Sequence, residues 1–403
     1  MSIERTIEEA ARFGKTEDGG VTRLAWEPVL FEVYDWLRGR ASECGFYSQI
    51  DAAGNLLIAW EEGDGPAVAI GSHLDTVPNG GRFDGALGVL TGFEAMRDLK
   101  TAGFQPRKPI WLLAFMDEEG SRFGTSMFGS LAFVGQEVGH LGLRTDRDGK
   151  TLAQAMEQAG FSLEAVGEAA AVDRISSYLE LHIEQGPILE RSDAQIGVVR
   201  AICGLAGMRV RFSGEANHAG TTPSNLRRDA LAGAARFIVA LRDEVKKREG
   251  CVGTVGMIEV RPGAFNVIPG TVELTVDVRS ADAGDLDDLE SWVAGSIAMI
   301  AREENLEQAV ERIHRLEPTA MAPEVVDLLA RSTAAEGACF EVMVSGAGHD
   351  AMIVGRYVPA GMIFVPSIGG LSHNSQERTK PEDCELGVQI VRRALVELAG
   401  GPA

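Results

Sequence analysis

Ala67-Val68-Ala69-Ile70-Gly71-Ser72-His73-Leu74-Asp75-Thr76-Val77 is the stretch on which the reading of this chain turns. Its first five residues form a short apolar run that reads as a buried strand, and the run stops on polar residues. A histidine and an aspartate therefore stand where the strand ends. Gly81-Arg82-Phe83-Asp84-Gly85 follows, and behind it Leu87, Leu90, Phe93, Met96 and Leu99 recur at every third residue, close to the helical period. That spacing predicts a buried helix with Asp84 near its N-terminus. The apolar runs Ile110 to Met116 and Tyr178 to Ile183 continue the alternation. Strands alternating with helical segments predict an α/β layer structure with a largely buried sheet.

From about Gly207 the pattern changes to strand, helix, strand, strand, helix, strand: Met208 to Phe212, Leu226 to Glu244, Val252 to Val260, Thr271 to Val278, Asp285 to Arg302 and Ala309 to Arg315. That order suits a small sheet covered on one face by two helices, able to fold by itself. After Pro318 the chain reads α/β again, with apolar Met362 to Val365 and a last helix from Pro381 to Leu398. The prediction is a discontinuous α/β domain, residues 1–206 and 317–403, with a mixed sheet between helices. It is interrupted by an α+β domain over residues 207–316. A length of 403 residues, too great for one ordinary core, and 45% hydrophobic content agree with two folded domains.

A formal charge of −21 argues against nucleic acid or an anionic membrane as a partner, because both would be repelled. No stretch of about 18 apolar residues is present to span a membrane. The start, Met1-Ser2-Ile3-Glu4-Arg5-Thr6, lacks a basic segment followed by an apolar one, so the expected location is the cytoplasm. The five cysteines, Cys44, Cys203, Cys251, Cys339 and Cys384, are odd in number and show no C-x-x-C spacing. Neither a disulfide framework nor a thiolate zinc site is indicated.

Of seven histidines, five lie in short polar motifs beside Gly, Asp or Asn. Divalent cations of the zinc and manganese kind take imidazole nitrogen and carboxylate oxygen, and a pair of them about 3.5–4 Å apart needs a bridging carboxylate. The chain supplies His73, Asp84, Glu118, Glu119, His182 and His373 in suitable contexts. His73 and Asp75, two apart on an extended strand, face one side, so Asp75 can receive the second imidazole N–H or fix the strand end. Glu118 and Glu119 follow a buried strand, where open α/β sheets keep their sites. One of the pair can ligate a metal while its neighbour takes a proton from the attacking water. Alternation places Glu180, His182 and Glu184 on one strand face, with the acids expected to orient the imidazole. His373 lies among turn residues and, alone, reads equally well as a solvated loop histidine.

Together Gly71-Ser72-His73-Leu74-Asp75-Thr76-Val77, Gly81-Arg82-Phe83-Asp84-Gly85, Asp117-Glu118-Glu119-Gly120-Ser121-Arg122-Phe123, Leu181-His182-Ile183-Glu184-Gln185-Gly186-Pro187, Asn217-His218-Ala219-Gly220-Thr221-Thr222-Pro223 and Ser372-His373-Asn374 form an ordered set. The set resembles the amidase, hydantoinase and carbamoylase branch of the metal-dependent aminoacylase and carboxypeptidase family, in register from about residue 20 to the C-terminus. The resemblance implies two divalent ions, zinc or manganese with cobalt possible. His73, Asp84 and His182 would lie on one side and Asp84, Glu119 and His373 on the other, with Asp84 bridging and the pairing left open. Glu118 would be general base and then proton donor. The inserted domain would be a lid that also makes a homodimer, and His218 on it would stabilise the developing oxyanion. Arg279 would clamp a substrate carboxylate, Asn266 and Gln185 would bind the amide or ureido group, and Asp75 and His349 would support the ligands from behind. His140 and His314 match none of these motifs.

Within that branch the substrates carry an N-carbamoyl or ureido group near a carboxylate, and water activated by the metals attacks the ureido carbon. Allantoate hydrolases of the branch tend to carry a basic pair soon after the strand leading into the lid. Here that stretch is Ala201-Ile202-Cys203-Gly204-Leu205-Ala206-Gly207-Met208-Arg209, small or apolar until Arg209. The expected activity is hydrolysis of an N-carbamoyl-L-amino acid, with allantoate hydrolysis or an aminoacylase or dipeptidase activity as alternatives. A non-enzymatic metal-dependent binding protein would need a broken catalytic set, whereas Glu118 and all five expected ligands are present.

Overall fold

The computed structural model describes residues 2–400; Met1 and residues 401–403, which belong to the terminal segments read above, lie outside the described residues. The chain divides into two compact units, Met1–Arg200 with Ala320–Ala403, and Ala201–Thr319. Among the described residues no helix is long and apolar enough to cross a membrane.

The first unit is built on a mixed nine-stranded sheet. Its N-terminal strands are β1 (Tyr47–Ile50), β2 (Leu56–Trp60), β3 (Ala67–His73), β4 (Ile110–Phe115), β5 (Ile175–Ile183) and β6 (Ile196–Ile202). The order along the sheet is β1, β2, β4, β3, β5, then the strand Ala360–Val365, then β6. The four central strands, β4, β3, β5 and Ala360–Val365, run parallel, while β2 and β6 flank them antiparallel. Every residue of β3 and β4 is buried, which is why both read as apolar runs without alternation. The register sets His73 beside Phe115 and His182 beside Phe364. All four central strands therefore end at one edge, and each of the four hands its chain to a loop there.

The helix Ala86–Thr101 packs on β3 and β5, and it is buried on more than the one stripe that its spacing predicts: every residue from Ala86 to Met96 is inside. The last helix, Pro381–Gly400, and the first, Ile3–Ala10, cover it. Gly85 begins the helix at φ 65°, and a Cβ there would collide with the imidazole of His73. The glycine of Gly81-Arg82-Phe83-Asp84-Gly85 is thus required twice over, by conformation and by space.

The second unit is a four-stranded antiparallel sheet in the order Glu307–Leu316, Gly204–Ser213, Thr271–Ser280, Val252–Arg261. Along Thr271–Ser280, Val272, Leu274, Val276 and Val278 are buried while their neighbours are half-exposed, a period of two that covers one face. The helices Ala230–Val245 and Ala283–Glu303 share that core with the sheet. The first of them starts later than the predicted Leu226. Ser224–Leu226 is a separate 3₁₀ turn, and the Asp229 side chain accepts from the N–H groups of Leu231 and Ala232, capping the helix at Ala230.

Candidate metal centre

Six residues converge at the carboxyl edge of the parallel strands. His73 is the last residue of β3, Asp84 lies in the loop that follows, and Glu118 and Glu119 come just after β4. His182 sits near the end of β5, and His373 is in the loop after Ala360–Val365. Asp84 stands in the middle. Its Oδ1 is 3.1 Å from His182 Nε2 and 3.8 Å from His73 Nε2, and its Oδ2 is 3.3 Å from His373 Nε2. His373 Nε2 in turn is 3.5 Å from Glu119 Oε2. Two groups result, His73 with Asp84 and His182, and Asp84 with Glu119 and His373, each with donor atoms within 4.8 Å of one another. Glu118 belongs to neither group, although its Oε2 is 3.6 Å from His73 Nε2.

The backbone is bent to achieve this. Asp117, Gln185 and His373 carry positive φ values of 58°, 59° and 54°, a conformation that costs non-glycine residues energy and persists where the surroundings enforce it. At Asp117 the Thr125 hydroxyl donates to the carboxylate at 2.6 Å, and at Gln185 the backbone N–H donates to Ser367 Oγ at 3.0 Å.

Supporting contacts determine which imidazole nitrogen faces the centre. His73 Nδ1 lies 3.0 Å from the carbonyl oxygen of Asp75, and His182 Nδ1 lies 2.9 Å from that of Ile183. A carbonyl only accepts, so Nδ1 carries the proton in both rings and, in the neutral form, Nε2 presents a lone pair toward Asp84. The Asp75 carboxylate has another task. It accepts the backbone N–H groups of Glu118 and Glu119 at 3.3 and 3.2 Å, fixing both acids to the end of β3. His349 packs its ring against His182 with centroids 4.5 Å apart, and its Nε2 is 2.9 Å from Ser345 Oγ.

The acids flanking His182 do not orient it by direct contact, contrary to the expectation from alternation. Glu180 accepts from Ser72 Oγ, Tyr178 OH and the Ala351 N–H. Glu184 accepts the N–H groups of Ile188 and Leu189 at the start of the helix Ile188–Ser192. The carbonyl of Ile183 does the orienting instead.

The electrostatics are those of a site short of positive charge. Burial, reinforced by Asp84, pushes Glu119 up to about 8, and burial followed by Asp350 and Glu119 holds Glu118 well above the usual carboxylate range. Burial and then Asp75 take Asp117 to about 8. Asp84 goes the other way: burial alone would raise it, but hydrogen bonding to His182 and His373 holds it well below its ordinary value. Those same bonds lift the imidazoles. His373 rises to about 9 through Asp84, and His182 reaches about 9 because Asp84 outweighs burial. Burial lowers His73 despite Asp75 and Asp84.

The donor set fits divalent cations. It offers imidazole nitrogen and carboxylate oxygen with one shared carboxylate, Nε2 lone pairs aimed at acceptor oxygens, and a buried Glu119 Oε1 without a hydrogen-bond partner. Acceptors facing acceptors need a proton or a cation between them.

Gln185 donates through Nε2 to Asp84 Oδ2 at 2.9 Å and to Ser372 Oγ at 3.2 Å, while its Oε1 is without a partner. Sequence reasoning missed Glu377. Its buried carboxylate accepts the backbone N–H groups of Phe83 and Asp84 and pairs with the Ser372 hydroxyl. Nothing in Gln376-Glu377-Arg378 separates it from a solvated loop acid.

The remaining expected site residues belong to the second unit. His218 is exposed in the short strand Asn217–His218, which pairs with Val267–Ile268, and the backbone of Asn266 accepts from the Ala219 N–H. His218 Nδ1 accepts from the N–H groups of Gly220 and Thr221 at 3.0 and 3.2 Å, so a neutral ring carries its proton on Nε2. Arg279 lies two residues from Asp277 on one strand and donates to both its oxygens, at 2.9 and 3.1 Å. His140 and His314 are exposed.

Comparison with known proteins places this arrangement among hydrolases. The model of peptidase family M20/M25/M40 matches residues 69–397. An N-carbamoyl-L-amino acid amidohydrolase from Geobacillus stearothermophilus is 39% identical, over 98% of this chain and 97% of its own. An allantoate amidohydrolase from Bacillus subtilis (strain 168) is 36% identical over 99% and 97%. Among solved structures, an amidase of the hydantoinase/carbamoylase family from Burkholderia multivorans superimposes with a TM-score of 0.93 at 36% identity, covering 100% of this chain and 98% of that one.

Proposed function

The chain belongs to peptidase family M20/M25/M40, and from that premise we propose that it is a metal-dependent amidohydrolase cleaving the carbamoyl C–N bond of an N-carbamoyl-L-amino acid. The observation that carries the reading is the pair of donor groups sharing Asp84, with Glu118 beside them and in neither. His73, Asp84 and His182 would hold one ion and Asp84, Glu119 and His373 the other. Zinc or manganese, or else cobalt, would polarise the ureido carbonyl and make the attacking water acidic.

Glu118 takes the proton from that water and returns it to the leaving nitrogen. Burial, with Asp350 and Glu119 adding to it, raises its pKa, and a carboxylate so raised is the stronger base toward the water, while its acid form can pass the proton on. Asp75 keeps Glu118 and Glu119 pointing apart by holding their backbone, and His349 braces the His182 ring. His218 donates Nε2–H to the oxyanion that forms, Arg279 pairs with the substrate carboxylate, and Gln185 and Asn266 hold the ureido group. Residues 207–316 act as a lid and as the dimer contact; exposed Val252, Met257 and Ile258 on an edge strand support the second role. Free thiols at all five cysteines support action in the cytoplasm.

Relatives of both substrate types are similar over the full length, so the substrate decides between them. The apolar stretch Ala201 to Met208 favours the substrate with a single carboxylate. The test is hydrolysis of a panel of N-carbamoyl-L-amino acids, allantoate, N-acyl amino acids and dipeptides, after chelation and reloading with zinc, manganese or cobalt. N-carbamoyl-L-amino acids should turn over fastest, and only in reloaded protein; faster turnover of allantoate would overturn the preference.

A further inference from the structure

A cavity of about 310 Å³ adjoins the candidate metal centre within the first unit, at the small end of the range of about 300–1,000 Å³ that ligand sites occupy. One wall is the turn that leaves β5, from Glu184 to Ile188. The other is the end of the strand Phe340–Ser345 and the loop behind it, as far as Ala347. Gln185 belongs to both places: it lines the cavity, while its Nε2 donates to Asp84 Oδ2 at 2.9 Å and lies 3.5 Å from His373 Nε2. Phe364, also in the lining, stands beside His182 in the sheet register, and its ring centroid is 5.6 Å from that of His349.

Pro187, Ile188, Met343, Val344, Ala347 and Phe364 make the lining largely apolar. Among the described residues that line it only Glu184 is charged, and its carboxylate is occupied. Oε1 accepts the Ile188 N–H at 2.7 Å and Oε2 the Leu189 N–H at 2.9 Å. The cavity thus offers no free charge to pair with a polar group, and such a group would be buried there at a cost. Ile188 is 51% exposed and Pro187 is exposed beside it, so apolar surface faces water that an apolar occupant would cover. Gly346 keeps the space open, since a Cβ added there would meet nothing within 4 Å.

We propose that this cavity receives the side chain on the α-carbon of the substrate and so selects apolar amino acids of about the length of leucine or methionine. The inference rests on the function proposed above in one respect, that the substrate is an N-substituted α-amino acid; which acyl group is cleaved does not enter it. In such a molecule the amide nitrogen and the side chain are carried by the same carbon. A ureido or amide group held by Gln185 therefore leaves the side chain next to the cavity that Gln185 lines. Glycine gains nothing from these walls, and aspartate brings a second carboxylate toward Glu184.

Steady-state kinetics of the metal-loaded protein on the N-carbamoyl derivatives of L-leucine, L-methionine, glycine and L-aspartate test this, with the N-acetyl derivatives of the same four in parallel. The quantity read is the ratio of kcat/KM for leucine to that for glycine, within one series and one preparation, so that any loss of folded protein or of metal cancels. The native chain should give a ratio of at least about tenfold, the scale on which a pocket distinguishes apolar groups, with methionine close to leucine and aspartate below glycine. Ala347→Leu, which adds bulk to the lining, and Ile188→Asp, at an exposed position, should each lower that ratio at least tenfold. A smaller native ratio, or one that neither substitution moves, would overturn the proposal. Should the acetyl series alone turn over, with the ratios as stated, the carbamoyl reading fails and the cavity keeps its role. Turnover of the carbamoyl series with a flat ratio removes the role of the cavity and leaves that reading intact. Turnover of neither series overturns both.

Discussion

Glu377 grips Asp84 by its backbone: Oε1 accepts the Asp84 N–H at 3.1 Å and the Phe83 N–H at 3.0 Å. The other carboxyl oxygen is 3.0 Å from Ser372 Oγ, which is itself 2.9 Å from Asp84 Oδ2. Burial, with Asp84 adding to it, raises Glu377 to about 7, so a proton is readily held on Oε2. That proton would donate to Ser372 and free the serine hydroxyl to donate to Asp84. Glu377→Gln keeps both functions, because an amide accepts through oxygen and donates through nitrogen. Glu377→Ala removes them. We expect metal affinity, measured by competition with a chromogenic chelator, to fall about 10–100-fold in the alanine variant. It should fall far less in the glutamine variant, and equal losses in the two would show that Glu377 acts only by filling space.

Glu118→Gln tests the proton transfer. The side chain lies outside both donor groups, so metal content by elemental analysis should be unchanged. The drop in kcat should be about 10²–10⁴-fold, the usual contribution of a positioned general base. A variant that loses metal along with activity would place Glu118 among the ligands instead.

Sequence and structure agree best where function depends on strand ends. His73, Glu118, Glu119 and His182 each close or follow an apolar run, and a buried parallel sheet brings such ends to one edge, so local pattern suffices to group them. Glu377 was invisible for the converse reason: its partners Phe83 and Asp84 are 294 and 293 residues away, and a loop acid looks the same whether buried or solvated. The flanking acids of His182 show a further limit. Period two puts Glu180 and Glu184 on its face, but the strand ends at Ile183, before Glu184, and alternation could not tell that Ser72, Ala351 and the turn at Ile188 would claim the acids' oxygens. The start of the helix Ala230–Val245 was missed because Asp229 caps it after a run of turn residues that reads as helix from composition alone.

Arg279 offers a prediction about substrate binding. Its guanidinium is held flat by Asp277 at 2.9 and 3.1 Å, which orients the fork before any substrate arrives. A charged hydrogen bond is worth about 1.5–3 kcal/mol, so Arg279→Ala should lower kcat/KM for an N-carbamoyl amino acid by at least tenfold, chiefly through KM. Lysine keeps the charge but not the fork, and Arg279→Lys should recover only part of the loss. Full activity in the lysine variant would argue for a simple charge effect.

Asp51 makes the fold itself sensitive to pH. It sits in the turn between β1 and β2, where its carboxylate accepts from the N–H groups of Ala53 and Asn55 and from the Asn55 amide. Asn55 in turn binds the Met116 N–H and the Gly129 carbonyl, beside the segment that carries Glu118. Burial, only partly offset by those hydrogen bonds, raises Asp51 from 3.8 to about 6. A carboxyl whose folded pKa lies above its unfolded one stabilises the fold most below the unfolded value, and that stability is lost as pH rises through the folded value. The loss between pH 5 and 7 amounts to about 1 kcal/mol. Asp51→Asn keeps an oxygen for the two N–H groups, gives up the bond to the Asn55 amide at every pH, and does not titrate. The stability of the variant relative to the native chain, from urea unfolding of the metal-loaded proteins, should therefore shift in the variant's favour by about that amount between pH 5 and 7. A difference that stays constant across this range would mean that Asp51 is ionised throughout.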